Sequence, residues 1–131
     1  MNEHQFWGIV ETQGKVVDKE EDGATTIEVA TEEGRSQLVR ISVQDLGGNL
    51  GECAVFGSLV CKVGDLDCEK ALRFNATVVR FGAIAIMEDM VIVRETLRLA
   101  TCDSDEIVFT IAEIAGVADG LEKKLYGSDR F

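Results

Sequence analysis

Histidine is nearly absent from the sequence, and the cysteines lack a metal-binding spacing. His4 is the only histidine, and it lies in the first turn of the chain, where a side chain is not held firmly. Ser-His and Cys-His catalytic pairs both need a fixed histidine, so neither is expected. The four cysteines lie 7 to 34 positions apart, with no Cys-X-X-Cys pair and no neighbouring histidine to complete a zinc site. The sequence therefore predicts a protein without catalytic residues, metal site or cofactor.

Basic residues are scarce as well. Only 13 lysines and arginines stand against 24 aspartates and glutamates in 131 residues, which gives a formal net charge of -11. A surface of this sign repels phosphate backbones and anionic lipid headgroups. We therefore expect neither nucleic acid nor a membrane surface as a partner.

Long apolar runs and proline are also missing, and we expect no secretory leader. The longest apolar-rich stretch, residues 107–118, falls short of the ~18 to 20 residues that span a bilayer. The first residues are polar and acidic, whereas a signal peptide starts basic and continues apolar. The chain has no proline and no linker-like segment that would divide it. We therefore expect a cytoplasmic protein that forms one domain over residues 1–131.

Acidic pairs and a glycine-rich segment are the remaining candidates for chemistry. The acidic pairs fall in predicted turns or at a helix start, as at 20–22 and 103–105, where carboxylates are usually solvated or cap the helix. The Gly-Gly-Asn-Leu-Gly segment at 47–51 lacks the Lys-Ser or Lys-Thr of a phosphate-binding loop. We interpret both as surface features of a non-enzymatic protein.

Hydrophobic periodicity predicts an α+β fold. Apolar residues at helical spacing indicate two shorter helices, at 2–16 and 66–75, and a long one at the end of the chain. β-forming residues, several in polar and apolar alternation, indicate five strands, at 25–30, 37–43, 53–63, 77–87 and 91–99. The acidic, turn-rich residues 15–23 are predicted to be a solvated connection. Because the strands come in blocks joined by hairpins, we expect an antiparallel sheet of about five strands with flanking helices, in the order α-β-β-β-α-β-β-α.

The long final helix is the most distinctive element. Asp103 caps its start, and its apolar spacing continues for about 20 residues to Gly127. Between 107 and 118 only Thr110 and Glu113 are polar, so apolar side chains surround most of this stretch. A sheet covers one stripe of a helix, and the rest needs a second cover from this chain or another, unless its small residues tolerate exposure. The candidate partner or dimer interface consists of Ile107, Val108, Phe109, Ile111 and Val117.

Three segments of the sequence resemble the type III secretion chaperone-like superfamily, which includes the YbjN-related bacterial proteins. They are the Phe-Gly-Ala-Ile-Ala stretch at 81–85, the strand at 91–99, and the Ala-Asp, Leu-Glu, Leu, Gly and Asp pattern within 118–131. The resemblance in sequence covers the last third of the chain, whereas over the first two thirds only the order of the predicted helices and strands agrees with the superfamily. It implies a small, acidic, cytoplasmic α+β protein that forms a homodimer.

The resemblance, the acidic charge and the apolar helix together favour a binding function. The first hypothesis is a non-enzymatic chaperone-like or adaptor protein, a homodimer that binds a segment of a protein client through apolar grooves or a sheet edge. The alternative is a regulatory or sensory-transduction domain that modulates a protein partner without chaperone activity. Suppression of the aggregation of an unfolded client distinguishes the two.

Overall fold

The computed structural model describes residues 1–126, with side chains described as far as Lys124. The helices in this range are α1 (Glu3–Val10), α2 (Cys68–Thr77) and α3 (Ser104–Tyr126), with a 3-10 turn at Val63–Asp65. The strands are β1 (Lys15–Lys19), β2 (Thr25–Ala30), β3 (Ser36–Asp45), β4 (Glu52–Lys62), β5 (Ala83–Met87) and β6 (Met90–Arg98). The predicted helix end at Gly127 lies outside the described residues.

The six strands within residues 1–126 form one antiparallel sheet in the order β1-β2-β3-β4-β6-β5. The chain leaves β4 through the 3-10 turn and α2, then returns as β5 at the edge before β6 pairs with β4. The predicted α+β class, antiparallel sheet, order of elements and long final helix are confirmed. The predicted strand 77–87 is shortened to β5, because its first residues complete α2 and a loop.

The first strand was not predicted. Residues 15–23 are predicted as a solvated connection, but Lys15–Lys19 is β1, which pairs antiparallel with β2. Its side chains are nearly all exposed, and its register shifts between Val16 and Asp18. An edge strand held through its backbone needs no buried face, so its sequence shows no apolar alternation.

The first helix ends at Val10, well before the predicted limit at residue 16. It begins with a capping box, in which Asn2 Oδ1 accepts from the Gln5 N–H at 2.8 Å and Gln5 Oε1 accepts from the Asn2 N–H at 3.0 Å. After the helix the chain passes so close to strand β2 that a Cβ on Gly14 would collide with the carbonyl oxygen of Glu28. This close approach requires glycine and leads the chain from helix into β1.

One face of the sheet and α3 enclose the core. Helix α3 packs on β3, β4 and β6, and α1 packs on α3. The rings of Phe6 in α1 and Phe56 in β4 meet edge to face at 6.1 Å. The largest fully buried apolar side chains are Phe6, Phe56, Ile27, Ile41, Ile107, Ile111 and Ile114. Helix α1 thus supplies part of the second cover that the apolar α3 requires.

A buried ion pair joins the turn between β2 and β3 to α3. Arg35 Nη2 lies 2.9 Å from Asp119 Oδ1, and Arg35 Nε lies 3.2 Å from both carboxylate oxygens. The two side chains are 14% and 4% exposed. Because hydrogen bonds between charged groups are stronger than neutral ones, this pair holds the hairpin against the second half of α3.

Candidate binding surfaces

The face of the sheet opposite α3 is open and forms an apolar groove. Alternation along β4 directs Phe56 and Ser58 toward α3, and directs Val55, Gly57 and Leu59 to the open face. The groove across this face has a volume of about 800 Å³. Its apolar lining includes Leu38, Leu46, Val55, Leu59, Met87 and Ile92. We call this surface the open-face groove.

Two arginines cross the middle of the open-face groove on either side of a glycine. The strand register pairs Arg40 of β3 with Gly57 of β4, and Gly57 with Arg94 of β6. Arg40 donates from Nε and Nη2 to the two carboxylate oxygens of Glu20, at 2.7 and 3.1 Å. These hydrogen bonds lower the pKa of the Glu20 carboxyl and raise the pKa of the Arg40 guanidinium. Within residues 1–126, Arg94 is exposed and has neither a hydrogen bond nor an ion pair.

Both edges of the sheet are blunted. At the β5 edge, Asn75 Nδ2 of α2 donates to the Ile84 carbonyl at 3.1 Å, and Asn75 Oδ1 accepts from the Ile84 N–H at 2.7 Å. The Asn75 amide therefore occupies the place of a neighbouring strand. At the opposite edge, β1 is short, irregular in register and flanked by lysines. Features of this kind oppose the addition of another strand.

The five residues of the predicted interface divide by exposure. Ile107 and Ile111 are at most 1% exposed, because the face of α3 that carries them packs on the sheet, so they present no surface to a partner. Val117 is partly buried against the core. Val108 and Phe109 are exposed. A partner interface on α3 stays a prediction, and within the described fold its accessible part is Val108 and Phe109.

An aromatic contact extends this accessible part of α3. The rings of Phe81, in the loop before β5, and Phe109 meet edge to face with centroids 5.0 Å apart. Phe81 and Phe109 are each 48% exposed, and Val108 is 36% exposed. We call these three residues the aromatic patch. Sequence reasoning assigned no interface role to Phe81, because its contact with Phe109 arises only from the packing of α3 beside the β5 loop.

A partly buried carboxylate lies on the core side of β6. Because side chains alternate between the two faces of a strand, the sequence predicts that Glu95 lies on the core side of β6. The strand register pairs Glu95 with Phe56 of β4. Its Oε2 atom is shielded from solvent and has no hydrogen-bond partner among the described residues. Burial raises the pKa of Glu95, and the charges of Glu113 and Glu106 on α3 raise it further. This acid therefore holds a proton more readily in the folded chain than in water.

The remaining titratable groups of the described residues form no cluster suited to a metal. Among residues 1–126, no group of three His, Cys, Asp or Glu side chains is arranged to hold an ion. All four cysteines are free thiols, and only Cys68 is exposed. Burial raises the pKa of the Cys61 and Cys102 thiols, which disfavours the reactive thiolate. Within the same residues, every helix is too short or too polar to cross a bilayer.

No protein-family model and no curated protein matches this chain.

Proposed function

We propose that this protein is a cytoplasmic, non-catalytic chaperone-like or adaptor protein that holds a segment of another protein in its open-face groove. The observation that carries the proposal is the groove itself, about 800 Å³ of largely apolar space on the sheet face opposite α3. This volume lies within the range of ligand-binding clefts, and an apolar lining is costly to leave in water. The net charge of -11 favours a protein client over nucleic acid.

The blunted sheet edges support docking on the face of the sheet. Asn75 already occupies the backbone groups of Ile84 at the β5 edge, so a client strand cannot pair there without displacing it. A client held on the face instead meets side chains such as Leu38 and Leu59, both exposed. Of the two modes expected from the sequence, a groove and a sheet edge, the geometry favours the groove.

We further infer that two copies associate through the aromatic patch, which leaves the open-face groove free. Exposed aromatic pairs are enriched at protein interfaces, and the resemblance to homodimeric chaperones supports the same arrangement. Light scattering on a sizing column should give about 29 kDa, twice the 14.3 kDa of the chain. Phe109→Glu should give the monomer mass, whereas Leu72→Glu, at an exposed site on α2, should not. A wild-type mass near 14.3 kDa at micromolar concentration would contradict the dimer.

The client-binding function is tested by suppression of aggregation. We expect the protein to lower light scattering by heat-unfolded citrate synthase at a near-stoichiometric ratio. Leu59→Asp should weaken this effect, because it places a charge in the apolar groove. Leu72→Asp makes the same change at an exposed site on α2 and should leave the effect intact.

The same assay separates the two functions considered. A regulatory or sensory domain would bind its partner without suppressing aggregation at any ratio. Absence of suppression by the wild-type protein, or equal suppression by the Leu59→Asp variant, would count against a chaperone-like role of the groove.

A further inference from the structure

The row of residues that crosses the middle of the open-face groove places two cationic side chains on either side of a gap. The register runs from Arg40 through Gly57 and Arg94 to Ala83. Neighbouring strands lie about 4.8 Å apart, so the two arginine Cα atoms are about 10 Å apart. Because Gly57 has no side chain, the space between the arginines is open.

One arginine of this row already binds a carboxylate. Arg40 holds Glu20 through two parallel hydrogen bonds, the geometry in which a guanidinium recognises a carboxylate best. Arg94 has no such partner within residues 1–126. Glu88 also lines the groove, but it precedes Met90 in the chain, and Met90 itself lies about 13 Å from Arg94 along β6. Arg94 is therefore a cation in an apolar groove, without a counter-ion among the described residues.

The neighbouring row on the same face is apolar. It consists of Leu59, Ile92 and Ala85, each two residues along its strand from the row that contains Arg94. Leu59 is exposed and Ala85 is half-buried, whereas Ile92 is buried beneath its neighbours. Two residues of a strand span about 7 Å, so a ligand that contacts Leu59 can also reach Arg94. A ligand that matches both rows has apolar side chains against the apolar row and, beside them, a negatively charged group against Arg94.

The geometry favours a helix over an extended segment. A strand lying flat on the face would leave its backbone N–H and C=O groups unpaired, whereas a helix satisfies its own. An α-helix about 10 Å across fills about 120 Å³ per residue, so the groove of about 800 Å³ accommodates about two turns. A second copy is disfavoured, because a two-fold axis across this face would bring the arginine rows of the two chains against each other.

We propose that the occupant of the open-face groove is an acidic amphipathic helix of a protein client, whose carboxylate pairs with Arg94 as Glu20 pairs with Arg40; this inference rests on the proposed function. The long-range field of a chain with net charge -11 attracts cationic ligands. Arg94, in contrast, attracts an anionic group of the ligand. A preference for an acidic helix can therefore arise only from the groove, which makes the sign of the ligand charge a sharp test.

The test uses three fluorescein-labelled peptides as probes. Each is an amphipathic helix of Leu and Ala, about 14 residues or four turns long, with Glu, Gln or Lys at the margin of the apolar face. Fluorescence anisotropy with the full chain should give affinities in the order Glu, Gln, Lys. We expect the Glu peptide to bind about fivefold more tightly than the Gln peptide, which is the upper end for an exposed ion pair.

Variants at two exposed arginines assign the preference. Arg94→Gln should abolish the preference for Glu over Gln, and Arg94→Lys should reduce it because the forked geometry is lost. Arg80→Gln removes the same charge at an exposed position outside the groove lining and should retain the preference. Circular dichroism of each variant verifies that the fold is intact.

The outcomes separate this inference from the proposed function. Equal binding of the Glu and Gln peptides, or tightest binding of the Lys peptide, would overturn the acidic helix while leaving a client groove in place. A change in the mass of the free protein on Leu59→Asp would reveal a second copy in the groove and would also overturn it. Failure of all three peptides to bind would overturn both proposals.

Discussion

A larger side chain at the centre of the open-face groove should weaken ligand binding without destabilising the fold. A Cβ placed on Gly57 would have Val93 O as its nearest neighbour, at 4.0 Å, which is an ordinary contact. Glycine within a strand costs stability, so Gly57→Leu should raise the free energy of unfolding by about 0.5–1 kcal/mol. The added side chain enters the gap between Arg40 and Arg94. Crowding of this kind costs about 1–3 kcal/mol, which corresponds to about a 5- to 150-fold loss of affinity.

Two assays together test this prediction. Urea unfolding reports stability, and anisotropy of the labelled Glu peptide reports binding. Gly8→Leu is the matched control, since Gly8 lies exposed on α1 and a Cβ there also meets no neighbour within 4 Å. Strong destabilisation by Gly57→Leu would mean that the groove is already filled. Unchanged binding would mean that the peptide docks elsewhere, and either result refutes the reasoning.

Three further predictions concern contacts around the core. Asp119→Asn should lower the free energy of unfolding in urea by about 1.5–3 kcal/mol, because it weakens the charged hydrogen bonds that join Arg35 to α3. The native pKa of Glu95 lies above its ordinary 4.5, so the native state binds the proton more readily and stability falls as pH rises from 4.5 through the native pKa. Glu95→Gln should remove this loss and be more stable at neutral pH, as measured by urea unfolding across pH. Asn75→Ala removes both hydrogen bonds to Ile84, so it should cost about 1–3 kcal/mol and speed amide exchange at Ile84.

Each of these predictions has a contradicting result. A loss below about 1 kcal/mol for Asp119→Asn would mean that the pair is solvated like a surface ion pair. A Glu95→Gln variant that keeps the wild-type pH profile would show that another group causes it. Unchanged exchange at Ile84 in Asn75→Ala would show that the β5 edge is protected by something other than the amide.

Elements with a buried face were predictable from the sequence. Strand β2 occupies residues 25–30 as expected, since its alternating side chains divide between core and surface. Helix α3 begins where the acidic cap predicts, and Asp103 Oδ1 accepts from the Glu106 N–H at 2.9 Å. Strand β1 was not predicted, because backbone hydrogen bonds hold it in the sheet and its side chains show no apolar alternation.

The candidate site lies on residues that no local pattern unites. Arg40, Gly57 and Arg94 are 17 and 37 positions apart in the chain and become neighbours only through the pairing of β3, β4 and β6. Likewise, the apolar excess of α3 predicted an interface, but packing buried Ile107 and Ile111 and left Phe109 to pair with Phe81. The sequence therefore predicted an excess of apolar residues on α3 but not which of them are exposed.

The sequence by itself determined the acidic charge, the α+β class and the order of the elements, because composition and short-range periodicity act within a few residues of the chain. Tertiary structure alone decided which apolar side chains stay exposed and which charges meet. Strand register aligns distant residues into one row across the sheet, as it does for the two arginines, and helix packing selects which face of α3 is covered. Both depend on contacts between remote segments, which exist only after the chain has folded.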